Sequence, residues 1–409
     1  MCAAVMTMVD TAPLRSSRDM MTRCPPRSAL LDLAWMALGL LFVLMDLFLD
    51  LWVTYYFIVE SKHFLALLYV CFLVISSSTQ QLFSFCWVLD DKNDGPVHRY
   101  ILVIHLLHLG LIWRYVRYLK LRWTIGIEGI PTTATSPMYQ SSLEQADDIG
   151  ILRVFDTFLE HTPQLVLLLT NSDCTTIKLS YALGMTMSFF SISWMLLDHK
   201  RTMCKSQGNE SKLQGLGCCT VYLLFNLLLV TPRVVSIALY VSSVKYYIIS
   251  HLAIELILML IFCYFMKTDF TTSRIMEWIY RLVISICLIY TWFNVMKGPT
   301  KRYRVTYHCF IIIDTSSMLT LAWWFWKSEH CPHGGFVVIV VASAVAASYM
   351  LGLVITCAYY KWKKYPLPRC VNDEIDGVPM SSQGTAAVRQ CYRRLHNNTS
   401  NSIKREEFF

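Results

Sequence analysis

IGILRVFDTFLEHTPQLVLLLT, residues Ile149–Thr170, sets an apolar background around four polar side chains, Arg153, Asp156, Glu160 and Gln164, spaced three and four residues apart. On a helix that spacing lines all four along one stripe, while Leu152, Phe155, Phe158, Leu159 and Leu165 face elsewhere. Pro163 removes a backbone donor and predicts a break or kink. Ionisable groups at bilayer depth are costly, so the stripe points to a polar path or a buried network rather than to a plain anchor. An internal salt bridge of Arg153 with Asp156 or Glu160, serving only to hold helices together, is the competing reading.

Around this stretch the composition is 55% hydrophobic, 13% aromatic and only 16% charged, which is the balance of a polytopic membrane protein. The first thirty residues contain Arg15, Arg18, Arg23, Pro25 and Pro26 but no short apolar core with a small-residue cleavage site. The expectation is an amino terminus that stays in the cytosol. Fifteen cysteines include no CxxC pair, which argues against a zinc ribbon or a thioredoxin-like site. Cys370 and Cys391 are weak candidates for palmitoylation. The net charge of +8 sits at segment ends, where it suits cytosolic loops better than nucleic acid.

Ten apolar segments follow in order: Leu33–Val59, Phe64–Leu89, Ile101–Leu119, Ile149–Thr170, Leu179–Leu197, Leu216–Val241, Tyr247–Met266, Trp278–Met296, Val305–Trp326 and Phe336–Tyr360. Basic residues flank the third (His98 and Arg99 before; Arg114, Arg117, Lys120 and Arg122 towards its end) and the eighth (Lys267 and Arg274; Lys297, Lys301, Arg302 and Arg304) on both sides. If positive loops stay inside, these two enter and leave on the same face as re-entrant elements. The predicted fold is therefore an all-α polytopic membrane protein with eight transmembrane helices and two re-entrant segments in two structural repeats, parallel in the membrane. The expected organisation is a cytosolic tail (1–30), a first membrane repeat (31–198), a cytosolic linker (199–215), a second repeat (216–362) and a disordered cytosolic regulatory tail (363–409). Sequons at Asn209, Asn397 and Asn398 fall on the cytosolic side and are expected to stay unused.

Further polar residues mark the membrane segments. Asp32, Asp46 and Asp50 are separated by nearly whole turns and share one face of the first. Ser76–Gln81 interrupt the second, Arg233 follows Pro232, Glu255 sits in the seventh, Arg281 opens the eighth, and Asp314 lies in the ninth. Singly, each reads best as a paired ion in helix packing. As a set of both signs they read as a hydrophilic track suited to a zwitterionic or anionic headgroup. There is no GxxxxGK[ST] loop, HExxH or GxSxG, so neither a built-in ATP motor nor an enzyme is expected. His105 and His108 read as packed histidines rather than as a zinc site, and no metal or cofactor is expected.

Beyond Tyr365-Pro366-Leu367-Pro368 the chain is too polar to fold alone. Within it stands Asp373-Glu374-Ile375-Asp376-Gly377. A caspase-type protease grips the carboxylate before the cut and another three residues earlier, and tolerates a small residue after it. Asp376, Asp373 and Gly377 meet those demands; the alternative is a solvated acidic turn.

Leu152–Glu160 with Pro163-Gln164-Leu165, Asp46–Trp52, Gln81–Ser84, Ser193-Trp194, Glu277–Arg281 and Trp292–Val295 resemble the signature of the XK-related membrane proteins, over nearly the whole span from Asp32 to Gly377. Asp156 stands where that family often has Glu, and His161 where its residue is usually small or polar. The resemblance implies a plasma-membrane phospholipid scramblase, independent of ATP and switched on when an executioner caspase removes the tail during apoptosis, exposing phosphatidylserine as an engulfment signal. It also implies a single-span partner, basigin or neuroplastin, with a dimer of such heterodimers as the larger assembly. Carried over residue by residue, Asp32, Asp46, Asp50, Arg153, Asp156, Glu160, Asp198, Arg233 and Asp314 would form the headgroup track. A transporter of small solutes or ions, and a non-transporting partner subunit, remain open as alternatives.

Overall fold

The computed structural model describes residues 26–90, 99–127, 137–171, 179–206, 216–244, 247–266, 268, 273–294, 301–328 and 334–363. Residues 1–25, the linker 207–215 with its sequon, and everything after residue 363, including Asp373–Gly377 and the other sequons, lie outside them. Among the described residues regular structure is entirely helical: α1 (Pro26–Val59), α2 (His63–Asp90), α3 (Arg99–Leu106), α4 (Gly110–Ile127), α5 (Pro137–Asp156), a π-helical turn (Thr157–His161), α6 (Thr162–Asn171), α7 (Leu179–Ser206), α8 (Leu216–Val244), α9 (Tyr247–Phe265), α10 (Arg274–Tyr290), α11 (Lys301–Ser328) and α12 (Gly334–Lys363).

Six of these are long and apolar enough to cross a bilayer: Leu31–Val59, His63–Leu89, Cys219–Val244, Tyr247–Phe265, Lys301–Trp326 and Val338–Tyr360. The chain is a multi-pass membrane protein. The α5–π–α6 rod and α7 are long too, but their middles carry polar groups, because they lie inside the bundle. From Gln145 to Thr162 every residue is buried except Asp156, which is half-buried. The stretch Ile149–Thr170 is thus the axis of the protein: α5 packs on α2, α4 and α7, and α6 on α7 and α8. The second half, α8 to α12, closes around α8, which lies along α11 and α12.

Proline shapes both central rods. Pro163 has no N–H to give the carbonyl four residues back, and its ring crowds that carbonyl. The helix absorbs this by widening into the π turn, where the Thr162 N–H and hydroxyl both reach the Thr157 carbonyl. Inside α8, Pro232 leaves the Leu228 carbonyl without its helical donor. Ser348 Oγ on α12 donates to that carbonyl at 3.3 Å, so the gap becomes an interhelical contact.

The third apolar segment is not one helix. After α3 the backbone turns at His108, whose φ of 60° is left-handed, and the N–H groups of His108 and Leu109 return to the carbonyls of His105 and Ile104. This is the bonding of a Schellman stop with histidine in place of glycine. The same device, with Ser61 at φ 60°, ends α1. The eighth segment is likewise broken, running as helix only to Tyr290 and continuing extended at Thr291.

Candidate functional site

Within the polar stripe of the central rod Asp156 and Glu160 meet each other, but the arginine pairs outside the rod. Arg153 reaches across to Asp198 on α7 (Nη1 to Oδ2, 3.7 Å), and Trp35 Nε1 donates to the other oxygen of Asp198 at 2.6 Å. Gly39 lets α1 approach here, since a Cβ would meet Tyr115 Oη at 3.2 Å and Arg153 Nη1 at 3.5 Å. At one end of this group Asp32 receives Arg122 at 2.5 Å and Arg201 at 3.4 Å, and the Arg201 guanidinium lies 4.3 Å from the Trp35 ring. At the other end Asp156 accepts from Ser76 Oγ at 2.9 Å and Gln80 Nε2 at 2.5 Å on α2. His161 lies between Asp156 and Asp46, with one ring nitrogen 3.2 Å from each carboxylate. Asp50 accepts from Tyr69 Oη at 3.1 Å and faces Glu160.

Seven of the nine expected track residues, Asp32, Asp46, Asp50, Arg153, Asp156, Glu160 and Asp198, therefore form one file along α1, the central rod and α7. Beside it Phe42, Asp46, Arg153, Met187, Ser191 and Trp194 line a narrow cleft with no room for a water molecule. Its wall combines an acid, a guanidinium, a hydroxyl and two aromatic rings, the rings set edge to face at 5.2 Å.

Arg233 and Asp314 belong to a second group in the other half of the bundle. The Arg233 guanidinium donates to Asp314 Oδ2 at 2.6 Å, to Thr315 Oγ1 at 3.1 Å, to the Ile289 carbonyl at 2.8 Å and to Glu255. His251 Nε2 lies 3.1 Å from the remaining Asp314 oxygen. The last carbonyls of α10 have no helical donors, and Arg233 and Tyr307 supply them, at Ile289 and Leu288. This cluster thus secures a helix that ends inside the protein.

The Ser-Gln run of α2 serves two sides. Ser76 and Gln80 face Asp156, whereas Ser77, Gln81 and Ser84 hold the α3–α4 turn: Ser77 Oγ bonds His108 Nδ1 at 2.6 Å, Gln81 Oε1 caps the Gly110 N–H at 3.0 Å, and Ser84 Oγ contacts His105 Nε2 at 3.0 Å. His105 and His108 turn to different partners and form no ligand pair. Sequence reasoning missed Arg114, which is buried against Asp148 at 2.6 Å and donates to both Ser84 oxygens. Arg114 and Arg122 read as loop charges because they lie near a segment end, yet Arg114 spends its charge on buried Asp148 and Arg122 on half-buried Asp32.

Among the described residues two trios bring one donor atom each within 4.8 Å, Asp46–Asp156–His161 and His251–Glu255–Asp314. In the first, the two ring nitrogens face different carboxylates, which makes a bridge rather than a chelate. In the second, Arg233 already bonds both acids.

The sequence model described as XK-related protein matches residues 34–364, most of the chain and all of this site except Asp32. The chain belongs to the XK-related family. Among its relatives, XK-related protein 8 of Pan troglodytes is 31% identical over 366 residues, covering 86% of this chain and 89% of the relative. XK-related protein 8 of Tetraodon nigroviridis is 27% identical, covering 80% and 82%. XK-related protein 9 of the same fish is 27% identical, covering 87% and 97%. Apart from Asp32 and the first turns of α1, both charge clusters of this XK-related chain and the helices that carry them fall within the matched region.

Proposed function

We propose that the chain is an ATP-independent phospholipid scramblase that exposes phosphatidylserine during apoptosis when an executioner caspase cuts after Asp376. The observation that carries this reading is the file from Asp32 to Glu160. It lines a multi-pass bundle with carboxylates, joined towards the Asp32 end by the guanidinium groups of Arg122, Arg153 and Arg201, and it borders a cleft with an aromatic wall. A headgroup crossing a bilayer must exchange hydration for both signs of charge along its route. The phosphate would be passed between Arg153 and its neighbours, and an ammonium between Asp46, Asp50 and the rings of Phe42 and Trp194. Such a path equilibrates leaflets downhill and requires no nucleotide.

The architecture that suits this role has eight spans and two re-entrant elements. The six apolar helices cross, together with the α5–π–α6 rod and α7, whose 28 residues extend roughly 42 Å. The broken α3–α4 pair and α10 enter and leave on the cytosolic face as equivalent parts of two parallel repeats. Both termini are then cytosolic, and the plasma membrane is the site of action. A single-span basigin or neuroplastin-type subunit accompanies the chain to the surface, and two such heterodimers form the larger assembly. The narrow cleft fits a closed state, which the uncut tail holds shut; removal of residues after Asp376 shifts the population towards an open file.

The test is annexin staining of cells that lack endogenous scramblases and express this chain or its Asp376→Ala variant at matched surface levels, after apoptosis is triggered. The parent restores staining and the variant does not. Staining by neither chain would overturn the scramblase reading in favour of a transporter or a partner subunit, and equal staining by both would remove the caspase switch.

A further inference from the structure

His161 links the central rod to α1. Its ring is 3% exposed, and it sits in the π turn, where the helix is widened. Nδ1 lies 3.2 Å from Asp46 Oδ2 on α1, and Nε2 lies 3.2 Å from Asp156 Oδ2 on α5. Ionised carboxylates only accept hydrogen bonds. A neutral imidazole has one N–H and one lone pair, so it can satisfy one of these oxygens and must oppose the other. The imidazolium instead attracts both: Nε2 can donate to Asp156, while Nδ1 faces Asp46 as a close ion pair without hydrogen-bond alignment.

The surroundings favour that charge. The elements packed on the π turn and its α1 neighbour present Asp46 and Asp50 from α1, Tyr69, Ser76 and Gln80 from α2, Arg153 and Asp156 from α5, and Glu160 from the turn itself. Gln164 on α6, Asp198 on α7 and Tyr290 on α10 complete the set. Five carboxyl groups thus stand against the guanidinium of Arg153, which Asp198 faces. A proton on His161 reduces this excess at the point where α1 meets the rod.

We propose that protonated His161 is the crosspiece that holds α1 on the central rod and keeps the headgroup file shut, and that loss of its proton releases α1. The proposal rests on the scramblase reading. The cleft beside the file has Phe42 and Asp46 of α1 on one side and Arg153, Met187, Ser191 and Trp194 of α5 and α7 on the other. Separation of α1 from the rod widens it. The sign follows from the bridge: it is complete at low pH, and as pH rises a lone pair comes to oppose a carboxylate and α1 is freed. Tail cleavage removes one restraint on the file, and the state of His161 sets how far the cleaved protein opens.

The experiment uses purified caspase-cleaved protein in liposomes, with scrambling of fluorescent lipid followed from about pH 5.5 to about 9.5, a window that brackets the ordinary titration of imidazole. The cleaved parent speeds up by roughly ten-fold with rising pH, the effect of losing one close ion pair inside the bundle. His161→Gln, which cannot take up a proton, is fast and nearly flat across the same range. A flat profile in the parent, or an unchanged profile in His161→Gln, overturns the proposal. A second readout does not need scrambling: hydrogen exchange of the α1 peptide around Asp46 and Asp50, with both proteins compared at the same pH. The variant exchanges faster than the parent near pH 6 and equally near pH 9; equality at both overturns the crosspiece. If the exchange difference is present while neither protein moves lipid, the crosspiece stands and the scramblase reading falls.

Discussion

Arg233→Gln is the substitution whose cost can be worked most directly from the structure. The guanidinium is fully buried and sits between Glu255 and Asp314 while its Nε serves the Ile289 carbonyl at the end of α10. Removing one partner of a buried ion pair costs about 3–5 kcal/mol, because the opposite charge is left behind. An orphaned buried carbonyl adds about 1–3 kcal/mol. The total is a large part of the roughly 5–15 kcal/mol that holds a typical fold together. Purified Arg233→Gln should unfold in detergent roughly 5–10 °C below the parent, at the entropy scale expected for a chain of this length. It should also reach the surface poorly. The triple variant Arg233→Gln/Glu255→Gln/Asp314→Asn removes the stranded charges and retains only the carbonyl penalty, so most of the lost stability returns. Comparison of the three melting curves is the assay. A single variant as stable as the parent, or a triple variant no better than the single, would refute the view that this cluster secures the second half.

Other consequences concern the turns. Ser61→Gly relieves a left-handed backbone position on a non-glycine residue and should stabilise the protein by about 1 kcal/mol, seen as a slightly higher melting temperature. Gly110→Ala would place a Cβ 2.3 Å from Gln81 Oε1 and 2.8 Å from the His105 ring, so both side chains must shift and the cap on the Gly110 N–H is lost, which loosens the α3–α4 turn on α2. Faster proteolysis or hydrogen exchange across residues 99–115 should report it. Ser348→Ala strips the Leu228 carbonyl of its donor from α12 and should cost about 1 kcal/mol in the same melting assay.

Long helices and the central stripe were legible because hydropathy and a three-to-four spacing are properties of neighbouring residues. The direction of each charge was not. Arg153 chooses Asp198, forty-five positions away in sequence, over Asp156 and Glu160 on its own rod, and such a choice depends on the placing of α7. The break after α3 was hidden because its left-handed residue is His108, with no glycine or proline at the turn itself; Gly110, which follows, is the local trace of it. The Arg114–Asp148 pair was missed because an arginine close to a segment end resembles a loop charge, and Asp148 lies just before the apolar stretch that drew attention. The pairing of Ser77, Gln81 and Ser84 with the α3–α4 turn could have been suspected from their spacing, which differs by one position from that of Ser76 and Gln80.

The measurement closest to the central claim is lipid scrambling by purified, caspase-cleaved protein in liposomes, read as quenching of fluorescent lipid on the outer leaflet. The cleaved parent should quench lipid from both leaflets without ATP, and Asp50→Asn and Arg153→Gln, checked for the same fold and reconstitution, should slow this by roughly ten-fold or more, the loss of at least one charge-assisted contact along the file. Quenching confined to the outer leaflet with the parent, or full rates from both variants, would contradict the account.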